Sequence, residues 1–211
     1  MNYRAVGKRC AVVLESLRIP VTPAEALKIL LGKHFSILDV DIIKIARSQI
    51  GIAEYQLDAR PSQAPKIVNC SAFTKWLLAQ RGYWIPQYAI EQREHGQTVH
   101  KNELKEGDLV FTGGRFGFYH DVEEDKVSHV GIVTAQDTVI HAERKAGGVV
   151  EIPLEIFFAK KRFRGARRCF PSDQNVLTLA VPDAIEIETA KDIQYLIRRE
   201  HALRERSTSS K

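Results

Sequence analysis

The spacing of the hydrophobic positions changes partway along this chain. Before Gly82, apolar residues recur every three or four positions, as in Phe73, Trp76 and Leu77, which places them on one face of an α-helix. After Pro86, the apolar residues form short runs bounded by glycine and turn residues, which is typical of strands. Helices followed by consecutive strands predict an α+β fold, with helices packed on a central antiparallel β-sheet.

Capping residues mark the helix starts. Residues 22–25 (TPAE) combine a threonine cap, a proline at the first helical position and a glutamate three residues after the cap, which predicts a helix there. A second helix is predicted from near Asp39 to Gly51. The third is predicted to begin at Cys70 with Asn69 as its cap, because asparagine accepts hydrogen bonds from the first N–H groups of a helix.

The remaining elements follow from shorter patterns. Residues 10–17 (CAVVLESL) fit either a helix or a strand, residues 56–66 form a predicted loop, and residues 190–206 form a predicted helix. The predicted strands are 109–111, 128–134, 138–142, 149–152 and 163–168.

The length of 211 residues suits one domain with an added subdomain, and the composition, 44% hydrophobic and 27% charged, is that of a soluble globular protein. We predict an N-terminal helical extension (1–38), a central domain (39–170) and a basic C-terminal helical tail (171–211). No stretch approaches the roughly 20 apolar residues that span a bilayer. The apolar run at 11–14 is too short for a signal-peptide core, so the sequence predicts a cytoplasmic protein.

Charge is distributed unevenly along the chain. The net charge is +5, but residues 160–168 hold six basic side chains out of nine, and residues 191–211 hold six against three acids. Such a surface predicts affinity for an anionic partner, such as nucleic acid, acidic lipid or acidic peptide. The alternative is a solvated basic face, because no nucleic-acid-binding motif accompanies the charge. The oligomeric state stays open.

The three cysteines differ in their surroundings. An odd count argues against a disulfide framework, and no Cys/His cluster has zinc-ligand spacing, so we predict no metal and no cofactor. A cysteine attacks as its thiolate, which the positive end of a helix favours. Cys70 has this setting, and the same N–H groups can hold an oxyanion. Cys10 and Cys169 lack it.

Two histidines are candidate partners for Cys70. A nucleophile needs a base within reach and a third group that holds the base. His129 begins one predicted strand and His141 ends the next, twelve residues later. In a tight antiparallel pair His129 can face the sulfur while His141 orients its ring. Either histidine alone would more commonly be structural, but both together behind Cys70 favour a cysteine hydrolase.

The order of short motifs resembles that of the NlpC/P60 cysteine peptidases. That family carries D-C-S-G, L-P-R, G-D-L-V-F-F, H-V-G-I and I-H-A in this order. The corresponding segments here are NCSA at 69–72, IPQ at 85–87, GDLVFT at 107–112, HVGI at 129–132 and IHA at 140–142. Each motif is weak alone, but five in order make the resemblance specific. It covers roughly residues 39–168.

The resemblance implies a papain-like fold and a cysteine peptidase or amidase that hydrolyses amide bonds of peptidoglycan peptides, typically between D-glutamate and a diamino acid. It implies Cys70 as nucleophile, His129 as general base and His141 as the polar third member of a catalytic domain over residues 39–170. A peptidoglycan-derived peptide is therefore the expected partner.

The resemblance also implies a substrate-binding set: Tyr55, Asn69, Ser71 and Ser128. Tyr55 would line the site near the oxyanion, although an amphipathic core aromatic is an equal alternative. Three positions depart from the family pattern, because Asn69 replaces an aspartate, Ala72 a glycine and Gln87 an arginine. All three lie near the expected substrate path, so we expect retained chemistry with altered specificity.

Residues 115–127 lengthen the segment before His129 and would form either a lid or an exposed hairpin loop. His120 is a backup base, whereas His95 and His100 have no partner in the motifs. The leading hypothesis is an amidase with a Cys70 acyl-enzyme. The alternatives are an acyltransferase on the same scaffold, in which an amine or alcohol captures the acyl group, and a binding module without turnover.

Overall fold

The computed structural model describes residues 3–113, 126–159 and 163–209. The α-helices in these residues are α1 Pro23–Gly32, α2 Ile42–Arg47, α3 Cys70–Gln80, α4 Ala89–Gln92, α5 Leu154–Ala159 and α6 Ala190–Ser209. The strands are β1 Arg9–Val12, β2 Ser36–Ile37, β3 Glu54–Tyr55, β4 Ile67–Val68, β5 Gln97–Val99, β6 Leu109–Thr112, β7 His129–Val133, β8 Thr138–Glu143, β9 Gly148–Pro153, β10 Phe163–Arg168 and β11 Leu177–Ala180. Short 3-10 helices lie at Leu14–Ser16, Pro61–Gln63 and Lys101–Glu103. The predicted α+β class is confirmed.

The chain divides into two compact units. The terminal unit comprises residues 1–40, 79–84 and 172–211, and the central unit comprises residues 41–78 and 85–171. In the terminal unit the strands form an antiparallel sheet in the order β1-β11-β2. Helices α1 and α6 contribute to its core. The buried side chains of this core include Val12, Leu30, Leu179, Ile193 and Ile197.

The central unit is built on an eight-stranded sheet in the order β4-β3-β9-β8-β7-β6-β10-β5. All of its strand pairs are antiparallel except β3–β4, which is parallel. The guanidinium of Arg168 holds β10 to the start of β6: Nε donates to Oδ1 of Asp108 (2.9 Å) and Nη2 to Oδ2 (2.8 Å). Because Asp108 is fully buried, this two-bond ion pair is strong as well as directional.

Several elements differ from the sequence prediction. Residues 9–12 are a strand rather than a helix, because they pair with β11, so the N-terminal segment is not purely helical. The second helix begins at Ile42, where Oδ1 of Asp41 accepts from the N–H of Lys44 (2.9 Å), and ends at Arg47. β4 follows the predicted loop of residues 56–66 directly, where the sequence predicts no strand. It pairs with β3 beside it.

Helix α6 starts at the predicted residue and runs to Ser209. Part of the basic charge of the terminal unit is paired, because Glu200 of α6 accepts from Lys33, which follows α1 (2.8 Å), and from Arg199 of α6 (2.9 Å). An anionic partner for this region stays a prediction. In the part of the chain that the structure describes, no helix combines the length and hydrophobicity needed to cross a membrane.

Candidate active site

Cys70 is the first residue of α3, as the sequence predicts. Oδ1 of Asn69 accepts a hydrogen bond from the N–H of Ala72 (2.8 Å) and one from the hydroxyl of Ser71 (3.2 Å). Asn69 is thus the helix cap. The side chain of Cys70 is partly exposed, whereas Cys10 and Cys169 are buried. Cys70 therefore combines access from solvent with a position at the positive end of the helix.

Asn69 also donates a hydrogen bond, which the aspartate found at this position in the family pattern cannot do. Its Nδ2 donates to the carbonyl oxygen of Leu57 (3.0 Å). A carboxylate has no proton to donate at neutral pH and would repel that oxygen. Asn69 therefore joins the loop around Leu57 to the start of α3, and both ends of its amide are engaged.

His129 and His141 are joined by a hydrogen bond, with Nε2 of His129 2.9 Å from Nδ1 of His141. Both side chains are buried, with 8% and 1% of their surface exposed. They lie on neighbouring strands, where Ile132 pairs with Ile140. Continuing this register places His141 opposite residue 131, so His129 reaches it diagonally.

Gly131 leaves the space that this diagonal contact requires. A Cβ atom at Gly131 would lie 2.4 Å from Cγ1 of Val139 and 3.1 Å from Cβ of His141. The contact with Val139 would be far shorter than van der Waals distance, and the contact with His141 would push that side chain away. The absence of a side chain at this position therefore lets the two imidazoles meet.

Phe157, on α5, covers both imidazoles. Its ring centroid lies 5.6 Å from that of His129 and 5.1 Å from that of His141. It is 2% exposed, so its ring shields the histidine pair from water. Sequence reasoning missed Phe157, because nothing in residues 154–159 (LEIFFA) distinguishes it from an ordinary core aromatic.

One cleft of about 180 Å³ brings together the predicted substrate-binding residues and the nucleophile. Its described lining consists of Tyr55, Leu57, Asn69, Cys70, Ser71, Tyr88, Ala89, Ile90, Val127 and Ser128. Ser128 directly precedes His129, so the start of β7 and the start of α3 meet at this cleft. Leu57 and Tyr88 are 67% and 53% exposed, and they present apolar surface to an incoming ligand.

Tyr55 lies in this cleft. Burial raises the pKa of its hydroxyl above the usual value, and the charge of Cys70 raises it further, while Arg144 lowers it. A thiolate raises a neighbouring phenol pKa because two negative charges repel. The phenol therefore stays protonated at neutral pH and is a potential hydrogen-bond donor to a bound group.

The other candidates lie elsewhere or outside the described residues. His95 and His100 are absent from the described lining of the cleft, and burial lowers the pKa of His95. His120 and most of the proposed lid fall in residues 114–125, outside the described part of the chain. No group of three or more His, Cys, Asp or Glu residues that could hold a metal ion occurs among the described residues.

Comparison with known families and proteins gives one consistent result. The sequence profile of the NlpC/P60 family matches residues 54–168, which is 115 of the 211 residues. The chain is 33% identical over 103 residues to a gamma-D-glutamyl-L-lysine dipeptidyl-peptidase of Bacillus cereus, covering 49% of this chain and 29% of that protein. It is 31% identical over 105 residues to the murein DD-endopeptidase MepS/murein LD-carboxypeptidase of Escherichia coli, covering 49% of this chain and 50% of that protein.

Solved structures agree on the fold. An NlpC/P60 family protein of Bacillus cereus superposes with a TM-score of 0.52 at 27% identity, covering 62% of this chain and 40% of that one. NlpC2 of Trichomonas vaginalis superposes with a TM-score of 0.53 at 16% identity, covering 64% and 49%. The chain spans half or less of the length of these relatives, and the papain-like architecture predicted from the sequence is consistent with them.

Proposed function

Because the chain belongs to the NlpC/P60 family, we propose that it is a cysteine peptidase that hydrolyses peptide bonds of peptidoglycan. One observation carries the proposal: the start of α3 and the start of β7 lie at the same cleft. Helix α3 begins at Cys70 and strand β7 begins at His129. The two curated relatives described above are named for the cleavage of gamma-D-glutamyl-L-lysine and murein peptides. This chain's substrate class is inferred from them.

In the proposed reaction, His129 takes the proton of the Cys70 thiol, and the resulting thiolate attacks the substrate carbonyl to form a tetrahedral oxyanion. The N–H groups at the start of α3 are donors for that oxyanion, and the protonated hydroxyl of Tyr55 is a further donor. His129 gives its proton to the leaving amine as the C–N bond breaks. The products of this half-reaction are the free amine and a thioester on Cys70.

Water then completes the cycle. His129, now neutral, removes a proton from a water molecule, which attacks the thioester, and the acid product and the thiolate are released. His141 holds the ring of His129 through the 2.9 Å hydrogen bond and stabilises the imidazolium as it forms. The burial of the pair beneath Phe157 strengthens this interaction, because the local dielectric constant is low.

The lining of the cleft predicts which peptides bind. Apart from Cys70, the described lining residues carry no formal charge at neutral pH. Asn69 uses its amide within the protein and offers no carboxylate to a substrate ammonium group. We therefore expect peptides with a blocked N-terminus to be cleaved at least as well as those with a free amine.

The test is a digest of purified peptidoglycan fragments, each prepared with a free and with an acylated N-terminus and read by mass spectrometry. The proposal expects cleavage by the wild type and at least 10³-fold less by Cys70→Ala, because the covalent route is lost. Cys169→Ala, which removes a buried thiol outside the cleft, is the matched control and should cleave normally. Failure of the wild type to cleave any fragment would overturn the proposal.

A further inference from the structure

A buried amide connects the nucleophile helix to one wall of the cleft. Gln92, in α4, is fully buried. Its Nε2 donates to the carbonyl oxygens of Ser71 (2.9 Å) and Pro86 (3.0 Å), and its Oε1 accepts from the hydroxyl of Thr74 (2.8 Å). Both amide hydrogens and the amide oxygen therefore have partners, so the cost of burying this polar group is offset.

Two of these partners belong to the first turns of α3. Ser71 follows Cys70 directly, and Thr74 lies one turn further along the helix. The hydroxyl of Thr74 is also 3.3 Å from the carbonyl oxygen of Cys70, and Thr74 is fully buried. The amide of Gln92 is thus attached to the same helical turn that carries the nucleophile.

The third partner lies outside α3. Pro86 precedes the segment 88–90, whose three residues line the cleft. Nε2 of Gln92 also lies 3.5 Å from the carbonyl oxygen of Gln87, next to the same segment. One side chain therefore joins the start of α3 to the 88–90 wall of the cleft, and sets the distance between them.

A methionine could fill the same volume without these hydrogen bonds, so packing alone does not call for glutamine. We propose that Gln92 is a positioning residue that holds the 88–90 wall at a fixed place relative to Cys70, and so sets how tightly a peptide is bound. This inference rests on the proposed peptidase function, and it assigns Gln92 to substrate binding through the wall rather than to bond cleavage.

The test compares Gln92→Met with Thr134→Val, which removes a buried hydroxyl from the same unit. Thr134 bonds to Thr138 (2.6 Å) away from the cleft, so its loss reports general destabilisation. For Gln92→Met we expect KM to rise about tenfold while kcat changes less than about threefold. Thr134→Val should leave both constants unchanged. An equal KM for Gln92→Met and the wild type, or an equal rise in Thr134→Val, would overturn the proposal.

A second variant extends the kinetic test, and a second measurement examines the inference without turnover. Thr74→Val removes one of the three bonds, and its KM should rise in the same direction but by less. Hydrogen exchange of the amides in residues 87–92 should be at least about tenfold faster in Gln92→Met than in Thr134→Val. If the wild type cleaves no fragment, the proposed function has failed, and this exchange experiment alone decides: unchanged exchange overturns the role of Gln92, and faster exchange supports it.

Discussion

Nε2 of His129 and Nδ1 of His141 are 2.9 Å apart, and the planes of the two imidazoles are nearly perpendicular at 86°. This hydrogen bond occupies Nε2 of His129, so Nδ1 is the nitrogen that would serve Cys70 in the proposed reaction. The surroundings of this bond include Gly131 and Phe157, neither of which belongs to the described lining of the cleft.

The first prediction concerns the partner of this hydrogen bond. His141→Leu removes this hydrogen-bond partner and should lower kcat by about 100-fold, because the ring of His129 loses its fixed orientation. His141→Asn keeps a polar group and should retain more activity. Steady-state kinetics on a peptidoglycan fragment, with circular dichroism to confirm folding, measures both. Wild-type kcat in a folded His141→Leu protein would contradict the role given to His141.

The second prediction is that the three thiols react very differently. Burial, together with the smaller effect of the carboxylates of Asp192 and Asp108 respectively, raises the pKa of Cys10 and of Cys169 to about 12. Near neutral pH only about one molecule in 10⁵ would carry such a thiolate. Iodoacetamide should therefore modify Cys70 alone in the folded protein.

Peptide mapping by mass spectrometry measures this selectivity. The same reaction in concentrated urea is the control, since unfolding removes the burial and all three cysteines should then be modified. Equal labelling of Cys10 and Cys70 in the native protein would show that the terminal unit opens on the time scale of the reaction.

The third prediction concerns the phenol of Tyr55. Its pKa is raised first by burial and second by the charge of Cys70. Cys70→Ala removes the charge but not the burial, so the pKa of Tyr55 should fall and still stay above the ordinary value. Titration of ¹³C-labelled tyrosine by NMR, with the Tyr55→Phe spectrum to identify the signal among six tyrosines, measures the change. An unchanged or higher pKa would place the sulfur too far away to act on the phenol.

The fourth prediction concerns Gly131. It separates the effect of core packing on stability from the effect of the position of His141 on activity. Gly131→Ala places a methyl group 2.4 Å from Cγ1 of Val139 and 3.1 Å from Cβ of His141. We expect a loss of about 1–3 kcal/mol in the free energy of unfolding, since overpacking a core has this cost. Activity should fall more than this loss of stability explains, because His141 moves.

The double variant Gly131→Ala with Val139→Ala tests the distinction. Removing Cγ1 of Val139 relieves the closer contact and should recover stability in urea unfolding. Activity should stay low, because the contact with His141 persists. Full recovery of both stability and activity would mean that the added methyl group acts through Val139 alone.

The features that could be predicted from the sequence are local ones. The cap at Asn69 and the helix start at Cys70 depend on neighbouring residues, and the same holds for the capping box at Thr22 and Glu25. Their hydrogen bonds close within one helical turn. The order of motifs then indicated the family, and the short apolar runs bounded by turn residues indicated the strands β6 to β9.

Only the tertiary structure decided which distant side chains meet. β3 and β4 are two residues long, too short to show a periodicity. Gln92 acquires its role from carbonyl oxygens up to 21 positions away, and Phe157, on a helix, acquires its role from a histidine pair on two strands. Local sequence therefore determined the chemistry offered at Cys70 and His129. The distances around them depend on long-range packing, which no stretch of adjacent residues encodes.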